Sequence, residues 1–159
     1  MKFAAITPPR LRTAEESERS ATWLELFYDL VFVAAVAMMG TRLVHEVSWG
    51  SLASYLAYFA LVWWLWASHT FYADRFDTDD LVYRLIAGGQ MIAIAFIAAS
   101  LLSESGEPTV VFAAAYAVVR ILLVGLYARV HRHVPEARIL VSGYMRGFGA
   151  AAVLWTAAI

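Results

Sequence analysis

TWLELFYDLVFVAAVAMM, residues 22–39, is the stretch whose reading decides the fold. It is apolar except for Thr22, Glu25 and Asp29, and it carries no turn residue. Followed to residue 44 it is long enough, at ~1.5 Å per residue, to cross ~30 Å of hydrocarbon. The pattern then recurs. Apolar stretches lie at 22–44, 51–72, 81–102, 109–130 and 139–159, separated by HEVSWG, ADRFDTDD, SESGEP and HRHVPEAR. None shows the alternation of a barrel strand. The expected fold is all-α, a polytopic helical membrane bundle with about five transmembrane helices behind a polar tail at 1–21. An odd fifth span ending in VLWTAAI, with no charged flank, is expected to be part of a longer protein.

Composition agrees. Of 159 residues, 62% are hydrophobic and 16% charged, where a soluble domain is about half apolar and a quarter charged. A net charge of −1 gives no signature for nucleic acid. Without cysteine there is no disulfide, thiolate chemistry or Cys-based metal site. The chain has no phosphate-binding Gly loop, no Gly-x-Ser-x-Gly elbow and no His-Glu-x-x-His. No catalytic residue, metal site or cofactor is therefore nominated. His131 and His133, with no carboxylate pair nearby in sequence, make a poor metal site.

Basic residues set the expected orientation. Lys2, Arg10, Arg12, Arg19, Arg75, Arg84, Arg129, Arg132 and Arg138 fall on one side, against Arg42 alone on the other. Cytoplasmic loops carry that excess, so the tail, the ADRFDTDD loop and the HRHVPEAR loop are predicted cytoplasmic. The tail, lacking the apolar stretch of a secretory signal, is expected to be disordered or to lie on the surface.

Within the spans a few polar side chains stand out, because an intramembrane charge costs ~2.5–3.5 kcal/mol at the helix centre and marks a functional candidate. They are Glu25, Asp29, His69, Gln90, Arg120 and Arg146. By helical rise Glu25 and His69 lie ~5 Å from the cytoplasmic end, Asp29 and Arg146 ~10 Å, Gln90 ~13 Å and Arg120 ~15 Å. Glu25 and Asp29, four apart, share a helix face. With Phe32 and Val36 that stripe is expected to face the bundle interior. Asp29 matches Arg146 in depth, with Arg120 as the alternative partner. Two readings stand side by side: a salt-bridge network fixing helix packing, and a cytoplasm-facing cavity for an ion, proton or small solute. His69 reads more simply as an ordinary hydrogen-bonded residue, and Trp63, Trp64 and Trp66 as packing or lipid-facing bulk. Gly143 and Gly147, at GxxxG spacing, suggest close helix packing.

The loop FYADRFDTDD gathers Asp74, Asp77, Asp79 and Asp80 around Arg75. Its structural reading is capping of the third span by Asp77 or Thr78, with acids at the positive end of the helix dipole. The alternatives are a cation site or a docking point for another loop. The spacing does not fit a calcium loop.

Taken together, WLELFYDLVFVAAV and FYADRFDTDD resemble the two signatures of the bacterial low temperature requirement protein A family, from Ala21 to the end of the chain. Glu25, Phe27, Tyr28 and Asp29 match the first, residues 71–80 the second. Members are typically longer, so the chain is similar to the N-terminal half. The resemblance implies a multi-pass protein of the bacterial inner membrane, linked by name to growth in the cold, and no established reaction. The leading expectation is a secondary transporter or channel-like protein, with the lipid bilayer and a small solute, ion or proton as partners. The remaining half of the family fold, or a second copy, would be a further partner. Against it stand a membrane enzyme acting on lipid through Glu25, His69 and the Asp77 loop, and a structural protein whose charges only fix packing.

Overall fold

The structure, a computed structural model, describes residues 6–12, 22–45, 47–77, 79–102 and 110–157. Five helices form a bundle: α1 (Trp23–His45), α2 (Trp49–Arg75), α3 (Leu81–Leu101), α4 (Val110–His133) and α5 (Arg138–Ala157). Four of them, α1 to α4, are long and apolar enough to cross a membrane. The fifth has the length, 20 residues, but Arg138, Arg146 and its Gly and Ser residues make it less apolar. Thr78, the SESGEP loop, the side chain of Asp77 and most of the polar tail lie outside the described residues.

Local chemistry sets the boundaries. At the start of α1 the Thr22 N–H donates to Glu25 Oε2 at 2.8 Å, and the Glu25 N–H donates to Thr22 Oγ1 at 3.2 Å. This reciprocal capping box satisfies two otherwise orphan donors. Glu25 is thus first of all a cap. Thr22→Ala is expected to cost about 0.5–2 kcal/mol, read as a lowered thermal midpoint in detergent. Ser48 caps α2 by accepting from the Ser51 N–H. Asp80 caps α3 by accepting from the Tyr83 N–H at 3.0 Å, so the cap is Asp80 and not Asp77 or Thr78. The helix begins at Leu81, and only the residue before it can present its carboxylate to that first turn. Helix α2 runs three residues beyond its expected end at 72, because nothing in ADR breaks a helix. Pro135 ends α4 and opens a short 3-10 turn, Pro135–Ala137, leading into α5.

Helix α1 packs on α2 and α3, α3 on α4, and α4 on α5. The buried stripe of α1 is Tyr28, Ala35 and Met39. The acids lie one step round the helix from it: Asp29 is exposed, and Phe32 and Val36 are only partly covered. The expected inward-facing acid stripe is therefore rotated away from the core. Gly143 and Gly147 make no close approach, since a Cβ at either meets nothing within 4 Å among the described residues. The tight helix contact is at Gly89, where a Cβ would lie 3.2 Å from Leu122 Cδ1.

The segment before α1 is anchored. Arg10–Leu11 (β1) pairs antiparallel with Phe76–Asp77 (β2), Arg10 opposite Asp77 and Leu11 opposite Phe76. The Arg12 N–H donates to the Arg75 carbonyl at 3.1 Å. Residues 6–12 therefore lie across the α2–α3 connection. Beneath this clip Tyr72, Phe76, Tyr83 and Tyr127 form a ring cluster with centroids 5.3–6.2 Å apart. Aromatic pairs of this kind contribute about 0.5–1.5 kcal/mol each beyond area burial.

Candidate functional site

A pocket of about 190 Å³ opens at the clipped end of the bundle. Helix α1 contributes Glu25, Tyr28 and Asp29, α2 contributes His69, Thr70, Ala73 and Asp74, and the clipped segment contributes Arg12. Helical spacing explains the set. Glu25, Tyr28 and Asp29 stand at i, i+3 and i+4 on α1, while Thr70, Ala73 and Asp74 repeat that spacing on α2, with His69 four residues before Ala73 on the same side. Three carboxylates face one guanidinium, so the pocket is formally negative. Asp29 Oδ1 accepts from the Trp66 indole N–H at 2.7 Å, and Arg12 Nη1 stands 3.9 Å from Asp74 Oδ1.

The pocket floor leads into the bundle. Tyr28 and His69 are 2% and 3% exposed, and their rings stack at 4.0 Å. On its other side His69 Nε2 lies 3.3 Å from the Tyr83 hydroxyl. Behind them Ser68, His69, Gln90 and Arg120 form a buried layer across α2, α3 and α4. With Asp80 they are, the tyrosines aside, all the buried polar side chains among the described residues. The layer divides two apolar clusters. Val62, Leu65, Ile94, Tyr116 and Val119 belong to one, and Tyr72, Tyr83, Leu123, Leu126 and Tyr127 to the other.

Arg120, 1% exposed, meets no carboxylate among the described residues. Its Nη1 donates to Ser68 Oγ at 3.0 Å and its Nη2 to the Tyr116 hydroxyl at 2.8 Å. Each hydroxyl passes the interaction on, Ser68 to the Trp64 carbonyl and Tyr116 to the Leu61 carbonyl. The positive charge thus leans on backbone dipoles of α2 through two relays. The rings of Tyr116 and Phe148, 5.1 and 5.2 Å from the guanidinium carbon, add cation–π attraction. Among the described residues, four buried polar atoms lack a hydrogen bond: Tyr28 OH, His69 Nδ1, Gln90 Oε1 and Arg120 Nε. All four belong to this layer or its floor. Such atoms are rare in proteins and cost about 1–3 kcal/mol each.

The structure brings most of the polar side chains singled out in the sequence together and leaves one apart. Glu25, Asp29 and His69 meet in the pocket, joined by Asp74; His69, Gln90 and Arg120 meet in the layer. Arg146 joins neither. It is exposed on α5, where Val141, Phe148 and Ala152 form the buried face, and its Nε donates to the Ser142 carbonyl. Asp29 pairs with neither Arg120 nor Arg146 among the described residues, so the first of the two readings, a salt-bridge network, finds no such pair there. Trp66, Ser68 and Tyr116 were missed as polar partners. Trp66 stood inside a run of tryptophans read as bulk, and Tyr28 stood in the quoted motif itself.

The loop acids are mostly committed to structure. Asp80 accepts from the Tyr83 and Thr7 N–H groups and from both Nη atoms of Arg129, which also donates to the Thr7 carbonyl. Burial alone would raise the Asp80 carboxyl, but these hydrogen bonds and the Arg129 charge hold it below the usual carboxylate range. Asp79 makes a bidentate pair with Arg84, 2.9 Å in each arm. Asp77 contributes its backbone to the clip. Arg75 lines a small surface cleft with Phe71, Asp74 and Tyr144. The motif thus caps α3 and docks the preceding segment onto α4.

Four apolar helices with their buried polar groups gathered into one interhelical layer define an integral membrane protein of the polytopic helical class. A family model, bacterial low temperature requirement A protein, matches residues 20–159, and the chain belongs to that family. It is also 30% identical over 120 residues to an uncharacterized protein of Rhizobium meliloti (strain 1021), an alignment covering 74% of this chain and 29% of that protein. The chain thus spans under a third of that relative's length. No solved structure matches the chain.

Proposed function

We propose that this protein is a secondary transporter or channel-like protein of the bacterial inner membrane, with the clipped end of the bundle in the cytoplasm. A proton, ion or small solute enters the acidic pocket and is handed to the buried layer. The observation that carries this reading is the position of His69. It lines the pocket on one side and on the other belongs to the layer that holds three of the four unpartnered buried polar atoms among the described residues, the fourth being the neighbouring Tyr28 hydroxyl. The Lys and Arg bias supports the orientation. Arg120 favours coupled transport over an open cation pore, since a fixed positive charge opposes passive leak.

Asp29 is the coupling carboxylate in this scheme, poised between the Trp66 N–H and the pocket. Purified Asp29→Asn in proteoliposomes is expected to lose proton flux to the background of protein-free vesicles, while inserting like the wild type. Wild-type flux in that variant would remove Asp29 from the mechanism. Asp79 and Asp80 are committed to Arg84 and Arg129, so the alternative, a membrane enzyme acting on lipid, would draw on Glu25 and His69 of the pocket.

A further inference from the structure

We propose that the acidic pocket and an apolar groove beside it form a single site, for an amphiphile whose head carries a protonated primary amine. The groove, about 390 Å³, is lined by Trp23, Leu26, Phe27, Leu30 and Val33, with Asp29 as its one charged residue. Asp29 also lines the pocket. The two spaces therefore adjoin at one residue, the groove nearly all apolar and the pocket carrying Glu25, Asp29, Asp74 and Arg12.

The carboxylates have acceptor capacity to spare. Asp29 uses Oδ1 on Trp66, and Glu25 uses Oε2 on the Thr22 N–H; among the described residues no hydrogen bond engages Asp29 Oδ2 or Glu25 Oε1, and both side chains line a formally negative pocket. An ammonium group brings three N–H donors and the compensating charge, and hydrogen bonds to charged groups are the strong ones. Tyr28 and His69, both more than nine-tenths buried, supply polar atoms without partners at the pocket floor. Arg12 meets a phosphate where the head is a phosphoamine. The groove takes an acyl chain. In a bilayer any lipid offers a chain, so the head decides selectivity: a primary amine is preferred to a quaternary ammonium, which has no N–H, and to an anionic head, which the carboxylates repel.

This rests on the pocket being the binding site of the proposed transporter and names its substrate class. The test is quenching of Trp23 by lipids with brominated chains in nanodiscs, assigned by difference with Trp23→Phe. Brominated phosphatidylethanolamine is expected to bind about tenfold better than the phosphatidylcholine or phosphatidylglycerol analogue, and Glu25→Gln with Asp74→Asn should erase that preference. Equal quenching by the three lipids in the wild type overturns the proposal without recourse to any variant. Glycerophosphoethanolamine, the head without chains, is expected to compete weakly; full competition by it would overturn the union of pocket and groove. Proton flux lost in Asp29→Asn together with no lipid preference would leave the transporter reading standing and remove this one.

Discussion

Asp80→Ala is expected to lower stability by about 3–5 kcal/mol, as removing one partner of a buried ion pair does. The Asp80 side chain is fully buried and Arg129 only slightly exposed. Its loss uncaps α3 at the Tyr83 N–H, frees the Thr7 N–H and leaves the Arg129 guanidinium without its carboxylate. Thermal unfolding in detergent measures this, and Asp79→Ala is the control, expected to have a much smaller effect because its pair with Arg84 is half in solvent. The same residue sets a pH dependence. A carboxyl held below its unfolded value of ~3.9 contributes stability that is fully present above that pH. The contribution fades as the pH falls through the lowered folded value. The difference between wild type and Asp80→Asn should therefore be flat from neutrality to about pH 5 and shrink below about pH 4. A difference unchanged down to pH 2 would show that the carboxylate is not what binds Arg129.

Arg120→Met is expected to do the opposite to stability: no loss, and a gain of up to about 1–4 kcal/mol, as when a buried ion is replaced by an apolar side chain of similar shape. The reason lies in the relays. Ser68 and Tyr116 keep their carbonyl partners on α2 when the guanidinium is gone, so no new orphan is made, and the unpartnered Nε disappears with it. Tyr116→Phe, in contrast, strands a guanidinium arm and should cost about 1–3 kcal/mol. If Arg120 is the barrier proposed above, the more stable Arg120→Met protein should leak protons in proteoliposomes. A protein that is destabilised by Arg120→Met and does not leak would make the arginine a packing residue.

Much of the bundle was legible in the sequence because span length and apolarity are properties of a single segment. Expected helix limits at 22–44 and 81–102 met Trp23–His45 and Leu81–Leu101. The charge pairing was not legible, for a definable reason. Helical rise gives the height of a residue, while its face follows from rotation of the helix and from neighbours that only tertiary packing selects. Asp29 and Arg146 matched in height and failed in azimuth. Position 146 lies about 200° round the helix from the buried Phe148, so the amphipathic phase of α5 already argued against it. Arg120 was found because depth alone made it anomalous, but hydroxyl partners leave no charge pattern to detect. The role of Asp80 depended on Thr7 and Arg129, 73 and 49 residues away, which no local motif encodes.

The clip across the α2–α3 connection also has a consequence for biogenesis. Thr7 is held by Arg129, 122 residues later in the chain. At about 5–20 residues per second of translation, on the order of ten seconds separate the two during synthesis. Residues 10–12 can pair with residues 75–77 as soon as α2 has emerged, but Thr7 cannot be fastened until the fourth helix has been delivered. Of the two attachments, the one nearer the start of the chain is the last to be made, so the segment closes over the α2–α3 connection from Arg12 back towards Thr7.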